Sequence, residues 1–117
     1  MKLITAIVQP ERLDDLIQSV IDSRAHGITV TEVRGFGRQY GQLTDGRAAA
    51  GWTSDRRAAL LAKIRLDVVV GDDAAETVVD AIAKCANTGT IGAGKIWVSP
   101  VDSVLRVRTG ERDGDAV

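Results

Sequence analysis

Residues 64–98 read IRLDVVVGDDAAETVVDAIAKCANTGTIGAGKIWV, and this stretch decides the fold. The β-branched run over 64–70 predicts a strand, and the apolar residues that follow recur at steps of three and four, as on one face of a helix. These helical residues are Val78, Val79, Ile82 and Ala86. Asp72 and Asp73 are predicted to cap that helix, and the apolar run 96–98 predicts the next strand. The stretch is therefore a β-α-β unit.

The same order of elements occurs earlier in the chain. Residues 3–8 predict a first strand, and residues 28–33 predict a second one. Between them an apolar helical face is formed by Leu13, Leu16, Ile17, Val20 and Ile21. The pair His26 and Gly27 is predicted to end this helix. Two tandem units predict an α+β, ferredoxin-like β-α-β-β-α-β sandwich whose helices cover one face of the sheet. We expect another copy of the chain to cover the other face.

Composition narrows the class of protein. A chain of 117 residues is long enough for one domain with a single core. Its 15 basic and 16 acidic residues nearly balance, which gives no reason to expect a nucleic acid or an anionic membrane as partner. The single cysteine, Cys85, cannot form an internal disulfide, and no apolar run approaches the roughly 20 residues needed to cross a bilayer. We expect a cytoplasmic, soluble protein.

Residues 88–95 read TGTIGAGK, and we call this segment the glycine loop. Glycines let backbone N–H groups approach phosphate oxygens, and Lys95, Arg106 and Arg108 supply positive charge. The two arginines are two residues apart, so on a strand they would share one face. A P-loop NTPase is excluded because Ile96 stands where Ser or Thr should hold magnesium and because the helix precedes the strand. A plain glycine turn with solvated arginines remains the alternative.

A segment from about residue 40 to residue 62 breaks the pattern. Loops of this length are uncommon in compact domains and are usually functional or disordered. The segment is rich in Gly, Ala, Arg and Asp, and Trp52 is its large apolar residue. It is therefore predicted to reach away from the domain, unless Ser54 caps a short helix within it.

Several dispersed segments of the chain resemble the P-II nitrogen-regulatory signalling proteins. They are residues 1–8, residues 29–39, Lys63, residues 88–101 and residues 106–111. The resemblance covers nearly the whole chain and implies a P-II-like domain over 1–112, with a T-loop at about 37–62. Residues 113–117 would be an acidic C-terminal tail, which we expect to be frayed.

The resemblance also implies a homotrimer that binds ATP or ADP in clefts between subunits. Around the adenine would lie Ile7, Thr29, Asp67 and Val69. Around the ribose and phosphates would lie Gly35, Gly37, Arg38, Gly92, Ala93, Gly94, Lys95, Arg106 and Arg108. Gln39 would help to hold Mg, and Lys63 would pair with 2-oxoglutarate.

The T-loop would contact a protein target, with Arg47 and Trp52 as candidate contacts. The protein would reach a membrane only by binding a transporter. Such a protein senses nitrogen, carbon or energy status and needs no catalytic residue. A slow ATPase that uses Asp67 as its base is the enzymatic alternative.

Four features depart from the P-II pattern. Residues 45–52 contain no tyrosine, so the nucleotidylation seen in many members is chemically impossible there. Ala93 stands where the family usually has an aspartate, and Gln9 and Glu11 replace a lysine and an aromatic residue. The T-loop is also longer than usual by about five residues. These departures leave open a P-II-like nucleotide sensor that answers another signal, such as bicarbonate, and controls a non-ammonium transporter or an enzyme.

Overall fold

The computed structural model describes residues 1–37 and 60–117. Its strands are β1 (Lys2–Val8), β2 (Thr29–Gly35), β3 (Leu61–Val70) and β4 (Gly94–Pro100). Its α-helices are α1 (Leu13–Asp22) and α2 (Asp72–Ala86), and short 3-10 turns cover Pro10–Arg12 and Asp113–Asp115. The order β1-α1-β2-β3-α2-β4 is the one predicted from the sequence.

The four strands form one sheet in the order β2-β3-β1-β4, and every neighbouring pair is antiparallel. Strand β1 lies inside the sheet, where Thr5 is opposite Asp67 of β3 on one side and Trp97 of β4 on the other. Each β-α-β crossover therefore skips one strand. This topology confirms the ferredoxin-like α+β fold.

The hydrophobic core lies between the sheet and the two helices. Alternate residues of the central strands point into it, as the period of two requires. The core residues of β1 and β3 are Ile4, Ala6, Val8, Ile64, Leu66, Val68 and Val70. Those of the helices are Leu16, Val20, Val78, Ile82 and Ala86. Ile82 is fully buried, and cutting such a side chain to alanine costs about 2 to 5 kcal/mol.

The same alternation sends a second set of side chains to the opposite side of the sheet, which we call the non-helical face. The register of the strands assigns to it Leu3, Thr5, Ile7, Thr29, Thr31, Val33, Lys63, Arg65, Asp67, Val69, Lys95, Trp97 and Ser99. Two of its polar side chains, Thr5 and Lys63, are buried although neither belongs to the apolar core. This face carries most of the side chains considered below.

Two predictions about helix ends are wrong. Helix α1 ends at Asp22 and not at His26, because Arg24 has a left-handed φ of 69° that turns the chain. The turn brings Ala25 back to the core, where it is 9% exposed. Asp72 does not cap α2, because Gly71 occupies the N-cap and no side chain bonds the free amides there. Asp72 lies in the first turn and accepts a 2.8 Å hydrogen bond from the Met1 amine, which lowers the pKa of its carboxyl.

The chain after β4 folds back on itself. Leu105 pairs with Arg112 in an isolated antiparallel bridge, and the Asp113 amide donates to the Val104 carbonyl at 2.9 Å. Asp113 also accepts a hydrogen bond from the Val104 amide through its carboxylate at 3.1 Å. The tail after residue 112 is therefore hydrogen-bonded at its start, and fraying beyond that point stays a prediction. Within the described ranges, no helix is long and apolar enough to cross a membrane.

Candidate functional site

The glycine loop connects the end of α2 to the start of β4. It turns sharply because Gly89, Gly92 and Gly94 all have positive φ angles, at 73°, 95° and 129°. Its internal hydrogen bonds are local: the Gly89 amide donates to the Asn87 side chain at 2.8 Å, and the Ala93 amide donates to the Thr90 carbonyl at 3.4 Å. The helix-then-strand context that excludes a P-loop is confirmed.

Gly94 lies where the loop meets strand β1. A Cβ atom at this position would overlap the carbonyl oxygen of Ile7 and would lie 3.2 Å from the Val8 Cα. Both neighbours are main-chain atoms, so no side-chain rotation could relieve the overlap. The backbone of the loop thus approaches β1 as closely as only glycine permits.

The carbonyl oxygen of Gly92 ties the loop to the sheet. It accepts a 2.7 Å hydrogen bond from Nε2 of Gln9 and a 3.2 Å hydrogen bond from Nζ of Lys63. Gln9 follows β1, and Lys63 is on the non-helical face of β3. Three separate parts of the chain therefore meet at one atom.

Lys63 is an unusual cation because only 7% of its surface is exposed. Burial lowers the pKa of its ammonium group, and the charge of Glu11 partly offsets that effect. In the described part of the chain, its hydrogen-bond partner is a neutral carbonyl and not a carboxylate. A buried ammonium group with such a partner is suited to receive an anion.

A second polar group lies in the row across the sheet formed by Thr29, Asp67 and Thr5. The carboxylate of Asp67 accepts a 2.7 Å hydrogen bond from the Thr5 hydroxyl and a 2.8 Å hydrogen bond from Nε of Arg65. The bond from Arg65 is the main reason that the pKa of Asp67 is lowered, and the Thr5 bond acts in the same direction against partial burial. Asp67 is thus an oriented, ionised hydrogen-bond acceptor.

Asp67 and Lys63 are four residues apart on β3, which corresponds to about 13 Å along the strand. The non-helical face therefore offers a hydrogen-bond acceptor at Asp67 and, further along β3, the buried cation of Lys63 beside the glycine loop. An elongated ligand with an amino group at one end and an anionic group at the other would match both.

Arg106 and Arg108 do not lie on a strand, so the prediction that they share one strand face is wrong. They belong to a turn in which the Gly110 amide donates to the Arg106 carbonyl at 2.8 Å. The Arg106 side chain pairs with Glu111 at 3.2 Å, and Arg108 is exposed. Across residues 1–37 and 60–117, no hydrogen bond or ion pair joins either arginine to the glycine loop of the same chain.

The structure brings many of the candidate residues together. Those on the non-helical face are Ile7, Thr29, Lys63, Asp67, Val69 and Lys95, and those in the glycine loop are Gly92, Ala93 and Gly94. Gly35 ends β2 opposite Leu61, and Gly37 is the last described residue before the gap. Arg38, Gln39, Arg47 and Trp52 lie outside the described residues.

Sequence reasoning missed two features of this site. It treated Gln9 only as a departure from the P-II pattern, whereas the side chain of Gln9 holds the Gly92 carbonyl. It also missed the pairing of Thr5 and Arg65 with Asp67. The alternation of polar and apolar residues on β1 and β3 could have placed Thr5, Arg65 and Asp67 on one face, but the pairing depends on the register.

Comparison with known proteins identifies the family of the chain. The sequence model of the family described as Nitrogen regulatory protein P-II matches residues 1–111. The chain is 43% identical over 117 residues to the Nitrogen regulatory protein P-II of Synechocystis sp., and 46% identical over 117 residues to that of Mesorhizobium japonicum, with all of both chains covered each time. It is 46% identical to Nitrogen regulatory protein P-II 2 of Methanothermobacter thermautotrophicus, which it covers to 97%. The chain therefore belongs to the P-II family of nitrogen regulatory proteins.

Proposed function

We propose that this P-II protein is a homotrimeric sensor that binds ATP or ADP in clefts between its subunits. The bound nucleotide would set the conformation of the segment 37–62, and this segment would regulate a transporter or an enzyme. A ligand shifts such an equilibrium only through unequal affinity for the two conformations, so ATP and ADP must be bound differently.

One observation carries the proposal: the glycine loop is fixed against the face that holds Asp67 and Lys95. The link runs through the Gly92 carbonyl and through the close approach of Gly94 to Ile7. Asp67 and Thr29 could accept hydrogen bonds from the amino group of adenine, and Lys95 could pair with phosphate. The residues present therefore fit a nucleoside polyphosphate.

Several exposed apolar side chains support the trimer. Ile91 in the glycine loop is 71% exposed, Trp97 on β4 is 43% exposed, and Val107 between the two arginines is 94% exposed. A second copy of the chain would cover such surfaces. Because neither Arg106 nor Arg108 makes a hydrogen bond or ion pair with its own glycine loop among residues 1–37 and 60–117, we take a neighbouring subunit as the source of those cations.

Magnesium and 2-oxoglutarate form a further part of the proposal. Gln39, which would help to hold Mg, lies outside the described residues. Lys63 is the buried cation that would pair with a carboxylate of 2-oxoglutarate. To bind that carboxylate, Lys63 would have to give up its hydrogen bond to the Gly92 carbonyl.

The arrangement argues against the ATPase alternative. Asp67 is the candidate base, but hydrogen bonds from Arg65 and Thr5 lower the pKa of its carboxyl, which makes it a weaker base and leaves it able to accept a further hydrogen bond. A regulatory role, as the family name states, needs no such base.

A second function remains attractive because two family features are missing. Residues 45–52 lack the tyrosine that is nucleotidylated in many members, and Ala93 replaces an aspartate in the phosphate loop. The protein would then be a P-II-like adenine-nucleotide sensor that answers a different small anion, such as bicarbonate. Titration of the ATP complex with bicarbonate and with 2-oxoglutarate separates the two functions, because only the true effector changes the ATP affinity.

The primary test is calorimetric titration of the full chain with ATP, ADP and AMP, with and without magnesium. Replacing Arg106 or Arg108 by alanine should weaken ATP binding by roughly 1 to 3 kcal/mol and AMP binding by less, because AMP has fewer phosphates to pair. Lys84→Ala, on the outer side of α2, is the control and should leave both affinities unchanged. Failure of all three nucleotides to bind at millimolar concentration contradicts the sensor function.

The target of the protein can be sought with a loop deletion. Pull-downs with the intact chain and with a chain lacking residues 42–59 should differ in the proteins that require the T-loop. If both chains capture the same proteins, the segment 37–62 is not the contact surface.

A further inference from the structure

We infer that Gln9 is a positioning residue that sets the orientation of the glycine loop. The inference deepens the proposed function and rests on it where nucleotide affinity is concerned. Gln9 lies just after β1, and its Nε2 donates to the Gly92 carbonyl, 83 residues away in sequence, at 2.7 Å. That is the shorter of the two hydrogen bonds at this oxygen, since the Lys63 bond measures 3.2 Å.

The glycine loop has little else to hold it. Its other described hydrogen bonds join residues two or three apart, and so they shape the loop without attaching it to the domain. Its one large apolar side chain, Ile91, is 71% exposed and does not anchor it. The loop is therefore attached to the domain through the Gly92 carbonyl and through the first pairing of β4 at Gly94.

Fixing this carbonyl also fixes the amide that follows it. The Gly92 oxygen and the Ala93 N–H share one peptide plane, so its rotation is set by the hydrogen bonds from Gln9 and Lys63 to the oxygen and by the longer 3.4 Å bond from the Ala93 amide to the Thr90 carbonyl. Gly92, which has a positive φ and no side chain, leaves the chain before this plane a wide range of backbone angles, whereas Gly94 beyond it is held by its pairing with β1. Without Gln9 the Gly92 oxygen would keep only the longer bond from Lys63, so the loop amides would sample more orientations, and fewer of these would suit a phosphate.

A neutral amide suits this role because of its neighbour. Lys63 already brings a buried positive charge to the same oxygen. A second ammonium group would repel it, whereas the Gln9 amide donates a hydrogen bond and adds no charge. Gln9 can thus hold the loop while Lys63 remains able to exchange its partner.

The first test measures the loop without any nucleotide. Amide hydrogen exchange over residues 88–95 is compared in the wild-type chain, in Gln9→Met, in Lys63→Met and in the double variant. Methionine keeps the length of either side chain but donates no hydrogen bond. Each single change should speed exchange about threefold, because one donor still satisfies the oxygen. The double change should speed it by more than the product of the two, because the oxygen then has no donor.

Gln18→Met is the matched control, since Gln18 is an exposed glutamine of α1 whose side chain, among the described residues, donates to Asp22 of its own helix. Its exchange over residues 88–95 should equal that of the wild type. If Gln9→Met also equals the wild type in this segment, the inference is overturned. The comparison of Gln9→Met and Gln18→Met with the wild type needs only single variants, so it tests the role of Gln9 even if the double variant does not fold.

The second test compares ATP with adenosine. Gln9→Met should weaken ATP binding about three- to tenfold and leave adenosine binding within twofold, because only ATP uses the loop amides. Equal weakening of both ligands would point to general structural damage and would overturn the inference. If the wild-type chain binds no adenine nucleotide, the proposed function fails, while the exchange test still decides the role of Gln9.

Discussion

The sharpest prediction concerns the replacement of Gly94 by alanine. The new Cβ would overlap the Ile7 carbonyl oxygen, would lie 3.1 Å from the Ile7 carbonyl carbon, and would sit on a residue whose φ is 129°. A non-glycine residue in such a backbone region costs about 1 to 3 kcal/mol. The overlap adds to this cost, because β1 is a central strand and cannot move away without breaking its pairing with β3. We expect Gly94→Ala to lower the free energy of unfolding by at least about 3 kcal/mol.

Alanine variants of two other glycines help to separate the backbone strain from the steric overlap. Gly89 has a φ of 73° but no atom within 4 Å of a new Cβ, so Gly89→Ala carries the backbone strain alone, about 1 kcal/mol. Gly27 has neither a positive φ nor a close neighbour, so Gly27→Ala should be near neutral. The excess loss in Gly94→Ala over Gly89→Ala therefore contains the contact with β1 together with any additional backbone strain at a φ of 129°.

The assay is urea unfolding of the three variants and the wild type at one protein concentration, because oligomer stability depends on concentration. Circular dichroism follows the transition, and the change in midpoint at constant slope gives the free-energy difference. If Gly94→Ala is no less stable than Gly89→Ala, the close approach of the glycine loop to β1 is refuted.

Three other predictions follow from the charges and the exposed surfaces. Asp67 has a lowered pKa in the folded chain, so its stabilisation is present above the ordinary carboxyl pKa of about 3.9 and is lost as pH falls through the folded value. At pH 7 the free energy of unfolding of the wild type should exceed that of Asp67→Asn by about 0.5 to 1 kcal/mol, a small difference because the Arg65 partner is screened by solvent. Urea unfolding from pH 7 down to pH 3 should show this difference shrink only below about pH 4. Lys63 also has a lowered pKa, so at alkaline pH the unfolded chain binds more protons than the folded chain. The wild type should therefore gain stability relative to Lys63→Met as pH rises from the folded pKa towards about 10.4. A difference in free energy of unfolding that does not change with pH would contradict the burial of a charged Lys63. The intact protein should have a mass of about 37 kDa by light scattering, three times the 12.4 kDa of one chain, and a stable 12.4 kDa species would contradict the trimer.

The elements of this fold could be predicted from the sequence because each has a clear period. Residues 64–70 alternate between core and non-helical face once they are placed on β3, and Val78 and Ile82 recur at helical spacing on α2. The ends were harder to predict, since a one-residue shift places Gly71 and not Asp72 at the N-cap. A left-handed residue such as Arg24 leaves no mark in a hydrophobic pattern.

The candidate site could be predicted in part, for a related reason. The glycine loop is a local feature and was visible as such. The arginine pair was misplaced because a spacing of two also fits a turn, and here the Glu111 ion pair and the glycine at residue 110 favour the turn. The Gln9 contact could not be predicted, because it joins residues 83 positions apart and depends on the sheet register.

The central position of β1 has a consequence for how this protein is made. Lys2 pairs with Val70 on one side and with Pro100 on the other, so the first strand of the chain waits for partners that are synthesised much later. At ribosomal rates of about 5 to 20 residues per second, that delay amounts to roughly 5 to 20 seconds. During it the apolar residues of β1 have no sheet to join, and they are a natural binding site for a chaperone. The four-stranded sheet therefore cannot close before β4 has left the ribosome.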